Sequence, residues 1–286
     1  MASLLTMRAV APLAICAVIS LGTASLGWAQ VPEPEPLIPE EDAPTTTRDT
    51  VVAGRDGDMV NARVGVTFNQ RSFTLDSTDA GLELGSSLYP TLHIGAEVFP
   101  FNGDEGFLGN VGLVGSFARG VDTTAIDEGG VLRKVPTRHS QLDLAVAWRH
   151  KLADSLWIQA DTGLLLLDFV LAANDFYSST TYRAWQISTR GVYTISPRFD
   201  LQGGIQIFPL VGLGASEAEF GTGSSTFGAS GHISVQASVV AGLYVHAGYQ
   251  LRAFSSSFTG QGDRELDAVV TTDILHSLSL WTGYRF

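Results

Sequence analysis

Beyond residue 16 this chain contains no cysteine. Its one cysteine, Cys16, lies in the apolar opening segment, so no disulfide can staple the remainder of the chain. Charge is scarce as well, at 16% of residues. The 17 Lys and Arg are outnumbered by 29 Asp and Glu, for a formal net charge of -12. Phosphate backbones are bound by clustered basic groups, so this balance argues against a nucleic-acid partner. After the opening segment no unbroken run of about 18 apolar residues occurs, and a membrane-spanning helix is therefore excluded from that part. Against these absences, 45% of the residues are hydrophobic and 31 are glycine. A chain this apolar without a spanning helix needs another arrangement for its apolar surface.

The opening "MASLLTMRAVAPLAICAVISLGTASLGWAQ" has Arg8 near its start, an apolar stretch from about Ala9 to Leu21 and small residues at Gly27 and Ala29. This layout predicts a secretory signal over residues 1–29, cleaved after Ala29. A transmembrane anchor is the competing reading, but the run is short for one and is interrupted by Pro12. Residues 30–60, including "VPEPEPLIPEEDAPTTTRDTVVAGRDGD", are rich in Pro, acids and Thr. They hold too few large apolar residues to fold alone, which predicts an extended, disordered tether.

From residue 61 to 286 the sequence breaks into short alternating runs. Val64, Val66 and Phe68 alternate with Arg63, Gly65 and Thr67, and Leu92, Ile94 and Ala96 with His93, Gly95 and Glu97. The same pattern recurs at Leu142–Trp148, Trp185–Ile187, Leu201–Ile207, Ile233–Val239, Leu243–Leu251 and Leu278–Phe286. Successive residues of a strand face opposite sides of a sheet, so each run carries one apolar and one polar face. Two further runs, 107–118 and 156–170, are apolar on both parities. The total is about ten strands, with eight or twelve left open. Tight connections at 101–106, 151–155, 196–198 and 241–242 alternate with longer polar stretches near 76–87, 119–137, 169–181, 211–226 and 256–269. Such sorting predicts an all-β, up-and-down antiparallel transmembrane barrel with both ends on the short-turn side.

The polar parity carries Arg63, Glu97, Asp143, Arg149, Asp161, Arg190 and Arg252. These would be buried charges in a soluble core, whereas in a membrane barrel they face the lumen. They could line a selective pore, or pair and plug the interior. Aromatic belts are expected at Trp148, Tyr193, Phe199, Tyr284 and Phe286 on the short-turn side. On the long-loop side they are expected at Phe73, Phe117, Trp185 and Phe254. Trp157 and Tyr244 fall on the lumen parity.

The alternating ending "LSLWTGYRF" and this strand pattern resemble the small outer-membrane β-barrels of Gram-negative bacteria, the group with OmpA-, OmpX- and OmpW-type members. The resemblance covers residues 61–286. It implies residence in the outer membrane among its lipids, with periplasmic termini, and a passage past periplasmic chaperones. It also implies that the barrel-assembly machinery reads Leu280, Thr282, Tyr284 and Phe286.

No catalytic, cofactor or metal motif stands out. The six histidines lack the H-x-x-x-H spacing of a zinc site, and "GTGSSTFG" lacks the Lys of a phosphate-binding loop. The expectation is a non-enzymatic protein, structural and surface-exposed or a narrow passive channel. The alternative is a barrel enzyme of protease or lipase type with its site at the extracellular mouth. Omptin-type proteases suggest His139, Asp273 and His276 for that role, as general base and orienting carboxylate.

Overall fold

A chain that must satisfy every backbone polar group without water has two solutions, the helix and the closed sheet. The computed structural model takes the second. It describes residues 59–77, 81–102, 106–128, 131–172, 179–221, 225–260, 262–263 and 269–286. The expected signal and residues 30–58 of the expected tether lie outside these. Eleven strands are formed, in chain order β1 (Val60–Asp76), β2 (Gly81–Ser86), β3 (Tyr89–Val98), β4 (Val111–Glu128), β5 (Val131–Ala153), β6 (Leu156–Leu171), β7 (Thr180–Ser196), β8 (Phe199–Gly212), β9 (Ser225–Val240), β10 (Leu243–Ser257) and β11 (Val270–Arg285). Among the described residues one α-helix, α1 (Ala215–Phe220), lies between β8 and β9.

From β4 to β11 each strand pairs antiparallel with the next, β2 and β3 each pair with both β1 and β4, and β11 returns to pair with β1 from Asn61↔Arg285 to Asp76↔Val270. The ring has ten staves, because β2 and β3 together fill the one place between β1 and β4. That stave breaks at Ser87 and Leu88. The pairing slips there by one residue, from Asn69↔Tyr89 to Ser72↔Gly85, and Ser86 Oγ accepts from the Arg71 N–H at 2.7 Å. A one-residue slip inverts which parity faces inward. Tyr89 and Leu84, of opposite parity, are accordingly both buried.

The faces are sorted as a membrane requires. Leu92, Ile94, Leu113, Leu144, Val146, Leu164, Ile187, Ile205, Ile233, Leu278 and Leu280 are exposed around the outside, Leu92 at 62% and Ile205 at 61%. Asn69, Arg71, His93, Glu97, His139, Gln159, Gln186, Gln202, Gln236, Arg252 and Asp273 are buried within. This inverted polarity is that of a transmembrane barrel. Tyr193, Phe199, Tyr284 and Phe286 are exposed at the short-turn end, and Phe117 and Trp185 face outward toward the other. Phe73 and Phe254 do not join that outer belt. They are 2% and 3% exposed and point into the lumen, on the parity of Arg71 and Arg252.

On the short-turn side the tight connections expected at 151–155, 196–198 and 241–242 are present, with Gly242 in the left-handed region at φ 75° between β9 and β10, whereas the one expected at 101–106 is part of a longer link from β3 to β4 that includes a 3-10 turn at Leu108–Asn110. On the opposite side the expected loop at 119–137 is largely strand. β4 and β5 run on past the bilayer and pair from Val111↔Trp148 to Glu128↔Val131. β5 reaches 23 residues, where about 9–11 suffice to cross. Above the hydrocarbon a strand no longer needs an apolar outer face, so its sequence reads as a polar loop. The inner face is still covered: Asp122, Thr124, Val135, Thr137 and His139 are buried.

Glycines on the inner face let large rings lie flat against the wall. The Tyr244 ring lies over Gly283, where a Cβ would run into it, and Tyr244 Oη donates to Asn61 Oδ1 at 2.6 Å. Gly65 likewise leaves room for Trp281. Gly283→Val should therefore lower stability by about 1–3 kcal/mol, the usual cost of overpacking. The measure is the urea midpoint at which the folded, heat-modifiable band disappears in gel electrophoresis, and Tyr244→Ala should relieve much of the loss.

Candidate functional site

The lumen is layered along its axis. In its middle and short-turn half lies a cavity of about 280 Å³, lined by all seven charged residues that the sequence places on the polar parity: Arg63, Glu97, Asp143, Arg149, Asp161, Arg190 and Arg252. Their interactions differ. Glu97 accepts from two guanidiniums, Arg63 Nη1 at 2.9 Å and Arg190 Nη2 at 3.1 Å. Arg190 Nη2 also donates to Gln159 Oε1 at 2.7 Å. Asp161 accepts from Gln159 Nε2 and Ser188 Oγ, and Asp143 from Gln141 Nε2 and Ser116 Oγ. The Arg149 guanidinium lies 3.9 Å from the centre of the Phe99 ring. Arg252 is joined to Gln141 Oε1 at 3.1 Å. Neutral amides thus relay Arg190 to Asp161 through Gln159 and Arg252 to Asp143 through Gln141, bonds that a low dielectric strengthens, while the Nε atoms of Arg63, Arg190 and Arg252 make no hydrogen bond.

Trp281 occupies one wall of this cavity. Its indole is stacked between the rings of His93 and His246, each centroid 4.5 Å away, with the Arg63 guanidinium 5.0 Å from its centre. Trp157 and Tyr244 also line the cavity, in keeping with their parity.

Toward the long loops the lumen changes character. Phe73, Leu75, Leu84, Leu165, Leu167, Phe169, Tyr182, Phe208, Leu213, Phe220, Phe254, Phe258, Val269 and Leu275 form one packed apolar cluster, each no more than 5% exposed. Leu213 and Phe220, at either end of α1, are part of it. Gly214 and Gly221, at φ 56° and 131°, turn the chain into and out of that helix, in a region that favours glycine. The cluster also explains the unbroken apolar run of β6. Leu164 and Leu166 face outward, while Leu165, Leu167 and Phe169 face the cluster, so neither parity is polar.

Where the cluster meets the cavity sits an ion pair that the lumen charges expected from sequence did not include. Arg71 Nη2 donates to Asp273 Oδ2 at 2.6 Å and its Nε to Oδ1 at 2.9 Å, and Tyr182 Oη donates to the same carboxylate at 2.7 Å. The guanidinium also rests 3.8 Å from the Phe169 ring centre. Arg71 shares the parity of Arg63, eight positions earlier in β1, which is the signal that could have revealed it.

The trio His139, Asp273 and His276 is not assembled. His139 faces inward, 2% exposed, with Nδ1 at 2.9 Å from Tyr89 Oη. Asp273 is engaged by Arg71 and Tyr182. His276, three residues from Asp273 and so on the other face of β11, bonds Tyr249 Oη on the outside at 2.7 Å. Leu280, Thr282, Tyr284 and Phe286 all point outward on the closing strand. Among the described residues no group of three or more His, Cys, Asp or Glu is placed to hold a metal ion.

No protein-family model matches the chain, and no curated protein matches it in sequence. Solved structures similar to it include the outer-membrane protease OmpT of Escherichia coli, at 8% identity and a TM-score of 0.48 over 79% of this chain and 96% of that one. The outer-membrane protein OprG of Pseudomonas aeruginosa is similar at 11% identity, a TM-score of 0.36, and 80% and 97% coverage. An outer-membrane channel of Pseudomonas putida F1 is similar at 11% identity, a TM-score of 0.38, and 79% and 96% coverage.

Removing one member of the buried pair leaves the other uncompensated. Arg71→Met should cost about 3–5 kcal/mol, while the double replacement with Asp273→Leu should recover most of it. Equilibrium unfolding in urea, in detergent or bilayers, checks both values.

Proposed function

We propose that this chain is an integral outer-membrane barrel protein, exported by its N-terminal signal with both termini in the periplasm. Its role is non-enzymatic and structural, displaying its outer connections at the cell surface. The observation that carries this reading is the apolar cluster across the long-loop half of the lumen. Leu165, Phe208 and Phe220 are at most 1% exposed, so among the described residues this level is packed with apolar side chains, which supports a lumen closed to water. An ion entering it would lose its hydration without gaining polar partners. The narrow passive channel, the other role expected from sequence, would require α1 and its neighbouring rings to move aside. The enzyme alternative has less support, because Asp273 and His276 lie on opposite faces of one strand.

The likeness to OmpA-, OmpX- and OmpW-type barrels belongs to this proposal. So do contact with outer-membrane lipid, delivery by periplasmic chaperones, and recognition of Leu280, Thr282, Tyr284 and Phe286 by the assembly machinery. The test is conductance in a planar bilayer of the chain refolded without its signal. The parent protein should give no stable steps. A triple variant with Phe169→Ala, Phe208→Ala and Phe254→Ala should give discrete openings. Steady conductance by the parent would make it a channel instead.

A further inference from the structure

The whole chain carries a net charge of -12, yet the wall of the lumen cavity has a small excess of the opposite sign. Five arginines and three carboxylates line the cavity, and a fourth carboxylate, Asp200, pairs with Arg285 at 3.5 Å, which leaves an excess of one positive charge. Two of those arginines, Arg63 and Arg190, share Glu97. Arg252 is placed differently. It lies at the closed end of the cavity, 3% exposed, and among the described residues its guanidinium hydrogen-bonds only to the neutral Gln141 Oε1. Its Nε has no partner, and the Phe208 ring stands 5.6 Å from its Cζ. The carboxylate at the far end of the Gln141 relay, Asp143, already accepts from Gln141 and Ser116. A guanidinium this deeply buried is costly unless an anion meets it.

Neutral hydrogen-bonding groups surround the charge. Gln250 donates to Ser230 Oγ at 2.9 Å, and Gln206 to Gln186 Oε1 at 2.6 Å. His139 lines the same end, with Nε2 unpartnered. A few fixed polar groups around one charge, in a concavity near the small end of the range for ligand sites, suit a small polar molecule. The fork of a guanidinium matches a carboxylate in shape as well as sign.

We propose that the lumen cavity binds a small polar carboxylate, seated on Arg252 and entering from the short-turn side. Arg252 supplies the charge-assisted bonds, and Gln186, Gln206 and Gln250 hold the rest of the molecule. This site does not depend on the seal above it being permanent.

The test is isothermal titration of the refolded full barrel in detergent micelles with succinate, beside its uncharged counterpart succinamide. Succinate should bind saturably at one site, and succinamide roughly tenfold or more weaker. Arg252→Gln should weaken succinate by a similar factor, with Arg252→Lys between the two because it keeps the charge and loses the fork. Gln250→Glu covers the case in which Arg252 variants fail to fold. It leaves Arg252 in place, can still bond Ser230, and should weaken succinate by putting a competing carboxylate beside the site. Lys151→Gln, at the short turn next to Asp154, should change nothing. Absence of saturable succinate binding, equal binding of succinamide, or undiminished binding by both Arg252→Gln and Gln250→Glu would overturn the proposal.

Discussion

The structure depends on one constraint: at membrane depth a backbone N–H or C=O has no water to fall back on. The pairing of β1 with β11 along sixteen positions answers it by removing both sheet edges at once. Closure then governs the rest. A closed sheet has an outside and an inside of fixed parity, so each strand residue is assigned either to lipid or to lumen. The apolar residues take the outside, where their burial in hydrocarbon replaces the burial a soluble core would provide. The lumen is then left with polar side chains, which must satisfy one another.

How they do so differs along the axis. In the cavity half, amides separate the charges, and most carboxylates have two or more donors. In the long-loop half, β6 is apolar on both faces and the lumen fills largely with rings and aliphatic side chains. The Arg71–Asp273 pair joins these regimes. It is buried under Phe169, with Tyr182 bonding the carboxylate from the opposite wall, so the three side chains tie β1, β7 and β11 together across the barrel. A pair at this level costs desolvation, and only the bidentate geometry with its third donor offsets that cost.

Much of this is legible in a period of two. The outward positions of β3, β7, β10 and β11 and the inward positions of Arg63, Glu97, Asp143, Arg149, Asp161, Arg190 and Arg252 need no more than parity. Residue type is a poorer guide. It sends Phe73 and Phe254 to an interfacial belt, while parity with Arg71 and Arg252 sends them inside, and the structure follows parity. The extension of β4 and β5 escapes the pattern for a different reason. Beyond the hydrocarbon both faces tolerate polar residues, so the alternation that identifies a membrane strand disappears although pairing continues. Partners across the lumen are the least legible. Arg71 and Asp273 are 202 positions apart, and their meeting depends on closure and stagger, which no local window contains.

The same physics bears on what the lumen can do. A sealed interior made only to fill space would be cheapest if it were apolar throughout, as its long-loop half nearly is. The cavity half instead retains five arginines, several amides and open volume. Buried charge is weak evidence for stability, because well-packed apolar replacements are often as stable or more so. Its retention here, with a positive excess in the cavity wall and with Arg252 hydrogen-bonded, among the described residues, only to a neutral amide, is what a cavity proposed to meet an anion would need. The apolar half then has a complementary part, since a packed apolar floor gives the polar half an end at which a charge is held at low dielectric.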